Sequence, residues 1–420
     1  MNEGRARQEE IYLGGLRGRK PAVPIDAQQL ERKAQKKMSR RGFAYIAGSA
    51  GLESTTAANR ESFERWRIVP RMLHDVSSRD VSVELFGRRL PAPFLLAPIG
   101  ALEMAHRDAD LAAKAAAAEG IPAIFSNQAS VAMETCATAM GDAPRWFQLY
   151  WSTSDELVES LVQRAEACGC EAIIVTLDTT MFGWRPRDLD LAFLPFVYAQ
   201  GIAQYTSDPV FQRLVEGRDS ASMPIGRITP RSALSLVRLS RKYPGSFWSN
   251  LRSRRPIAGV WQFVDTYSRP SLSWRDLPWL RERTKLPILL KGILHPEDAR
   301  TALEHGVDGL IVSTHGGRQV DGAIGSLDAL PPIAEAVAGR IPVLLDSGVR
   351  GGADAFKAIA LGARAVLIGR PYAYGLAIAG EEGVREVIKN FVAELDLTLG
   401  LSGCTSLADV TPETLQQHAA

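Results

Sequence analysis

The chain has no long apolar run: none of its 420 residues fall in a window of about 18 uninterrupted apolar side chains, the length a membrane-spanning helix needs. Its first residues, MNEGRARQEEIYLGG, carry no apolar stretch of the signal-peptide kind, so the default compartment is the cytoplasm. Cysteine is scarce. The four present, Cys136, Cys168, Cys170 and Cys404, fit neither a disulfide framework nor a CxxC zinc pattern, and read as small buried side chains. The six histidines include no HExxH, so no metal is expected. Charge of one sign is also missing. With 49 Lys and Arg against 47 Asp and Glu the net charge is +2, and nothing global argues for a nucleic-acid partner.

What the sequence does have is rhythm. Short apolar runs alternate with helix-favouring stretches, which is the pattern of parallel strand–helix units. Eight runs qualify: Phe94 to Pro98, Pro122 to Ser126, Trp146 to Tyr150, Ala172 to Leu177, Pro287 to Leu290, Gly309 to Ser313, Pro342 to Asp346 and Ala365 to Ile368. Helices are expected over Asp108 to Glu119, Ser154 to Cys168, Pro296 to His305, Ala353 to Leu361 and Gly383 to Leu399. Eight such units closing on themselves describe an α/β fold of the (β/α)8 TIM-barrel type.

Residues 1–90 then form an N-terminal helical segment packed on the barrel, with Arg41 to Gly51 at the edge of its mouth. Residues 91–186 and 275–403 are the two halves of the barrel, the second ending in a C-terminal helix, and 404–420 form a tail. The starts of strands four and five lie about 115 residues apart, so an insertion fills 187–274. It contains YTSDPVFQ, prolines in places awkward for regular helices, and Phe247, Trp248, Trp261 and Phe263. Leaving the carboxyl end of a barrel strand, it would lie over the mouth as a lid. From Asp208 to Leu272 it carries eleven Lys or Arg and four Asp or Glu, a basic patch that suits an acidic partner, a membrane surface or an anionic substrate tail, or else is a solvated face.

The strongest local signal for chemistry is Ser313-Thr314-His315-Gly316-Gly317-Arg318-Gln319, directly after strand six. A histidine at the carboxyl end of a barrel strand can serve as a general base near neutral pH. Beside it Arg318 can grip a carboxylate with two parallel hydrogen bonds. After strand four come Asp178, able to orient His315, and Arg185, able to supply a second guanidinium. Lys291, closing strand five, either stabilises charge on an electron-accepting ring or snorkels at the rim. The turns Asp346-Ser347-Gly348-Val349-Arg350-Gly351-Gly352 and Gly369-Arg370-Pro371 follow strands seven and eight, where barrels bind phosphate. Tyr150 and Tyr45 either reach the mouth or are buried with satisfied hydroxyls.

Taken together with LDTTMFGWRPRDL, NRESFERWRIVPRML, TSDPVFQ, KGILHPEDAR and SGVRGGADAFKAIALGARAVLIGRPYAYG, these residues resemble the FMN-dependent 2-hydroxy acid oxidase and dehydrogenase family over about Tyr45 to Cys404. Within it the pattern is most similar to the lactate 2-monooxygenase group. The resemblance implies an FMN cofactor, a small 2-hydroxy acid and O2 as reactants, and a homo-oligomer, perhaps a tetramer. It makes His315 the base, paired with Asp178, and gives the substrate carboxylate to Arg185 and Arg318, with Tyr45 and Tyr150 also touching substrate. Lys291 would lie against the flavin N1 and C2 carbonyl. Ser126, Gln148 and Thr176 would bond the ring, with Ser313 near it and the backbone of Pro98, Ile99 and Gly100 by N5. Asp346, Arg350, Gly369 and Arg370 would hold the ribityl chain and phosphate.

Three departures stand out. Gln128 occupies the place beside the substrate where relatives carry Trp, Tyr or an aliphatic residue, which points to a more polar substrate side chain. Thr314 replaces the usual Asn before His315, and the lid is longer than in the lactate 2-monooxygenase group. Three reaction outcomes are compatible with these residues: oxidation by O2 with release of peroxide, oxidation with decarboxylation to a carboxylic acid, CO2 and water, or dehydrogenation toward a quinone or protein acceptor docked on the basic lid.

Overall fold

A computed structural model describes residues 2–218 and 230–418. Eight parallel strands close into a barrel: Phe94–Leu96, Ala123–Ser126, Arg145–Leu149, Ile173–Thr176, Ile288–Ile293, Gly309–Val312, Val343–Leu345 and Ala365–Ile368. They are the eight runs expected, in sequential order, and Ile368 pairs with Leu96 to close the ring. Every residue of these strands except Gly292 is fully buried, because one face fills the barrel and the other meets the surrounding helices. Leu95, Ile124, Trp146, Ile174, Leu289, Ile311, Leu344 and Leu367 form the barrel interior.

The N-terminal 90 residues hold four helices, Glu3–Leu16, Ala27–Lys37, Arg40–Ala47 and Ser54–Glu64, but also three short strands. Val83–Leu85 and Arg88–Leu90 pair as a hairpin whose Val83, Leu85 and Leu90 pack on the barrel interior. Trp66–Ile68 pairs antiparallel with Leu415–Gln417, so the chain's last described residues are tied back by a ladder. The C-terminal helix is longer than expected, running Arg370–Leu401 with a break at Ala379 and Gly380. A helix at Ser326–Val337 contains Pro331 and Pro332 in its interior, residues that argue against a helix in the sequence.

The insertion is largely helical among its described residues: Pro209–Glu216, Pro230–Lys242, Phe247–Arg252 and Arg255–Thr266, with shorter turns before them. Its awkward prolines explain themselves here. Pro195, Pro209 and Pro256 stand in first turns, where a missing N–H breaks no intrahelical bond. Part of the basic patch, 219–229, lies outside the described residues.

Candidate active site

The loop after strand six turns sharply. His315 sits in the left-handed region at φ 55°, followed by Gly316 and Gly317, also at positive φ. A β carbon on Gly317 would lie 2.4 Å from Thr56 Oγ1, so the helix Ser54–Glu64 can press against the loop only because glycine is there. The strained histidine is held by neighbours. Its N–H donates to Ser313 Oγ at 3.0 Å, while Ser347 Oγ accepts from Thr314 N and Gly316 N. Thr314, in its unusual identity, accepts a hydrogen bond from Asn59 Nδ2 at 2.8 Å.

His315 Nδ1 lies 2.8 Å from Asp178 Oδ1. Burial favours the neutral imidazole and outweighs the Asp178 carboxylate, so the histidine titrates below its ordinary value; Lys291 and Arg185 push the same way. Asp178 is held below the usual carboxylate range: burial alone would raise it, but His315 and then Lys291 overcome that. An ionised Asp178 accepting from Nδ1–H leaves Nε2 with a free lone pair. Gly292, at φ 106°, makes the pairing reachable, since a β carbon there would lie 2.9 Å from Asp178 Cβ.

Two guanidiniums flank this imidazole. Arg318 donates to the carbonyls of Tyr45 and Gly48 and lies over the Tyr45 ring, 4.9 Å from its centroid. Arg185, 8% exposed, donates to the Arg318 carbonyl and to Gln319 Oε1. Burial, and then repulsion by Arg318, lower its pKa to about 10. Among the described residues neither arginine has a carboxylate within ion-pair distance; the buried Asp188, whose carboxyl burial pushes up, is close enough to feel both and offsets their charge only in part.

All of this opens into one cavity of about 1040 Å³, including the open space at its mouth. Of the sequence-expected residues, Tyr45, Pro98, Ile99, Gly100, Gln128, Gln148, Tyr150, Thr176, Arg185, Lys291, His315, Arg318, Asp346, Arg350, Gly369 and Arg370 line it. Asp178, Ser126 and Ser313 stand one layer behind. Ser126 Oγ donates to Gln148 Oε1 at 3.0 Å, and Ser313 Oγ accepts from Lys291 Nζ at 2.7 Å. Lys291 also pairs with Asp346 at 2.9 Å.

Sequence reasoning gave no role to Gln319, although it stands in the His315 motif. Its side-chain amide donates to the carbonyls of Asp178 and Met181 and accepts from Arg185, joining the loops after strands four and six. Thr179, Phe182 and Tyr267 were missed as wall residues too, since the lid's fold was needed to bring Tyr267 to the mouth. Of the four lid aromatics singled out, Phe263 is fully buried among Phe196, Tyr205 and Tyr267, while Trp248 is 63% exposed.

The cavity's lower wall fits a flavin nucleotide. Gln148 Nε2 and Thr176 Oγ1 are buried without a partner, and with Lys291 on the same wall they would suit a ring whose edge offers carbonyl acceptors. At the other end burial holds Arg350 and Arg370 below the ordinary guanidinium range, Arg370 to about 10; Arg370 already donates to the carbonyls of Ile46, Gly48 and Gly316 and to Ser49 Oγ, so its side chain offers an anion positive charge more than free donors. The helix after strand seven is not free for that anion, because Glu394 accepts from Gly352 N and Asp354 from Arg350 N. The start of Arg370–Leu401, with Gly369 on the cavity wall and no side-chain cap, is open to it.

Comparison with known proteins places the chain. A family model described as FMN-dependent dehydrogenase matches residues 34–417. The chain is 45% identical to an L-lactate oxidase of Lysinibacillus sphaericus, over 97% of this chain and 97% of that protein. It is 40% identical to an FMN-dependent alpha-hydroxy acid dehydrogenase of Penicillium citrinum, over 98% and 95%. A crystal structure of mandelate oxidase superimposes with a TM-score of 0.76 at 32% identity, covering 95% of this chain and all of that one. The chain belongs to the FMN-dependent dehydrogenase family.

Proposed function

We propose that this protein oxidises an L-2-hydroxy acid, lactate-like or larger, at the C2 carbon and passes the electrons to O2. The observation that carries the reading is the His315 imidazole, kept neutral by burial and fixed through Nδ1 by Asp178, beside two guanidiniums free of ion pairs in one cavity. Arg185 and Arg318 bind the substrate carboxylate, which relieves their mutual repulsion and places C2 and its hydroxyl next to Nε2. His315 takes up the proton the substrate loses, and Asp178 stabilises the imidazolium that forms. Tyr45 and Tyr150, with hydroxyls kept protonated by burial, donate hydrogen bonds to the substrate oxygens. FMN, when bound, supplies the two-electron acceptor. Lys291 offsets negative charge on the ring; Gln148 and Thr176 bond its edge, while Arg350, Gly369 and Arg370 take the phosphate. Gln128, 6% exposed on the substrate side of the cavity, favours a polar group beyond C2.

O2 is favoured over a docked acceptor by the lid. Its Arg213, Arg218, Lys242, Arg255 and Arg269 are committed to Glu156, Asp265, Glu103, Glu216 and Asp155, which takes much of the basic patch out of play for a partner. The test is an anaerobic screen of 2-hydroxy acids for loss of the oxidised-flavin absorbance, followed by admission of air. Bleaching by no 2-hydroxy acid sinks the substrate class, and slow recovery in air returns the quinone or protein acceptor. Peroxide and CO2 released per substrate separate simple oxidation from oxidative decarboxylation. The family resemblance further implies a homotetramer, checked by a light-scattering mass near four times the 45.7 kDa chain.

A further inference from the structure

Behind the Pro98-to-Gly100 turn lies a second pocket, of about 520 Å³ including the open space at its mouth. Its origin is legible in the sequence. The helix after strand one, Leu111–Ala118, reads LAAKAAAA, and where that helix faces the barrel its alanines are too short to fill the space. Ala109, Ala112 and Ala113 form one wall, with Leu96 and Phe125, from the outer faces of strands one and two, opposite.

Two features give this space a use. It shares Ala97 and Ile99 with the active-site cavity, so the wall between the two is one turn thick. Most of its polar side chains are moreover engaged within the protein. Tyr372 OH donates to the Ala97 carbonyl at 2.9 Å; Gln204 accepts from Met133 N and donates to the Val131 carbonyl. Ser130 Oγ accepts from Glu103 N, and Ser126 Oγ is held between Gln148 and Gln128 N. A pocket walled mostly by alanine, leucine and phenylalanine offers water few partners and suits a small apolar molecule. At its outer end Ala129, Ser130 and Val131 are only half-buried, so the surface is near.

We propose that this alanine-walled cavity binds dioxygen and delivers it past Ile99 to the reduced cofactor. The inference rests on the O2-using function above. In the overall reaction the 2-hydroxy acid loses two electrons and two protons to become the 2-oxo acid, and dioxygen takes up both pairs to become hydrogen peroxide. Substrate reaches the site through the lid, and the gas enters from behind the ring, so a closed lid does not block reoxidation.

The test fills the cavity without touching the catalytic wall. In the FMN-loaded protein Ala113→Leu is expected to slow reoxidation of the reduced enzyme by O2 about tenfold. Anaerobic reduction by substrate should stay within about twofold of the parent. Ala113→Val, a smaller intrusion, gives an intermediate rate and serves if the leucine variant fails to fold. Independently, crystals of the unaltered protein under xenon should show the gas between Ala113 and Ile99. Reoxidation at the parent rate in either folded variant, or a cavity without xenon, overturns the assignment while leaving the oxidase function intact. Failure of air to reoxidise the unaltered reduced protein removes the oxidase function itself, and this inference with it.

Discussion

At the scale of the residue, the site depends on keeping one imidazole neutral in a positive neighbourhood. Burial together with Lys291 and Arg185 lowers the His315 pKa, and Asp178 opposes them without winning. The sign follows directly. Above the folded pKa the base is ready; below it Nε2 is protonated and cannot accept. The rate of anaerobic flavin reduction at low substrate should therefore stay level from pH 8 down to about 6.5 and fall only below that. A midpoint at or above pH 7 would show that the Asp178 charge dominates instead. Stability shifts in the same direction, because the unfolded chain protonates its histidine at 6.5 while the folded one resists, so acid below that value costs stability. His315→Ala removes the base and leaves the phosphate and ring contacts in place. Flavin reduction should drop about a thousandfold with the bound-flavin spectrum preserved, and reduction at the parent rate would move the base elsewhere.

At the scale of the element, the barrel was readable because its strands are buried on both faces and so appear as unbroken apolar runs, Ile173–Thr176 and Gly309–Val312 among them. The cluster proposed to be catalytic could be picked out because its residues fall at strand ends, and the fold brings them to one cavity. What stayed hidden depended on contacts remote in sequence. Pro331 and Pro332 oppose a helix locally, yet Ser326–Val337 forms because Leu327, Leu330 and Ile333 are buried in the core. Tyr267 reaches the mouth only through the lid's aromatic cluster, which no short motif announces. That cluster makes the lid testable as an element. Phe263 is 1% exposed, with ring centres 5.3 Å from Phe196 and 4.8 Å from Tyr205, and Phe196 in turn packs on Tyr45. Phe263→Ala should cost about 3–5 kcal/mol of local packing. Release of the 2-oxo acid from the anaerobically reduced protein, followed by stopped flow, should then quicken about tenfold. Unchanged release would mean that the salt bridges to Glu156, Glu103 and Asp155, not the aromatic cluster, keep the lid shut.

At the scale of the whole molecule, the proposed cofactor site takes walls from strands three, four and five, at Gln148, Thr176 and Lys291, and from loops after strands one, seven and eight, so a bound flavin would tie the two halves of the barrel together. Without a ligand those walls carry costs: unpartnered Gln148 Nε2 and Thr176 Oγ1, and a partly buried Arg350 guanidinium that donates to the Val349 carbonyl. Ligation to the folded state alone adds about 2.7 kcal/mol at a free FMN concentration one hundred times Kd. Stripping the flavin should accordingly lower Tm by several degrees, and adding FMN back should restore it. Arg350→Ala separates the cofactor's contribution from the fold's. It removes a partly buried cation whose charge burial already disfavours, so the flavin-free variant should melt no lower than the flavin-free parent. The rise in Tm on adding FMN should shrink, because the phosphate loses a charge-assisted partner. A flavin-free variant that melts far below the parent would make Arg350 a strut of the barrel. An undiminished FMN shift would leave the phosphate to Arg370 and the helix start at Gly369.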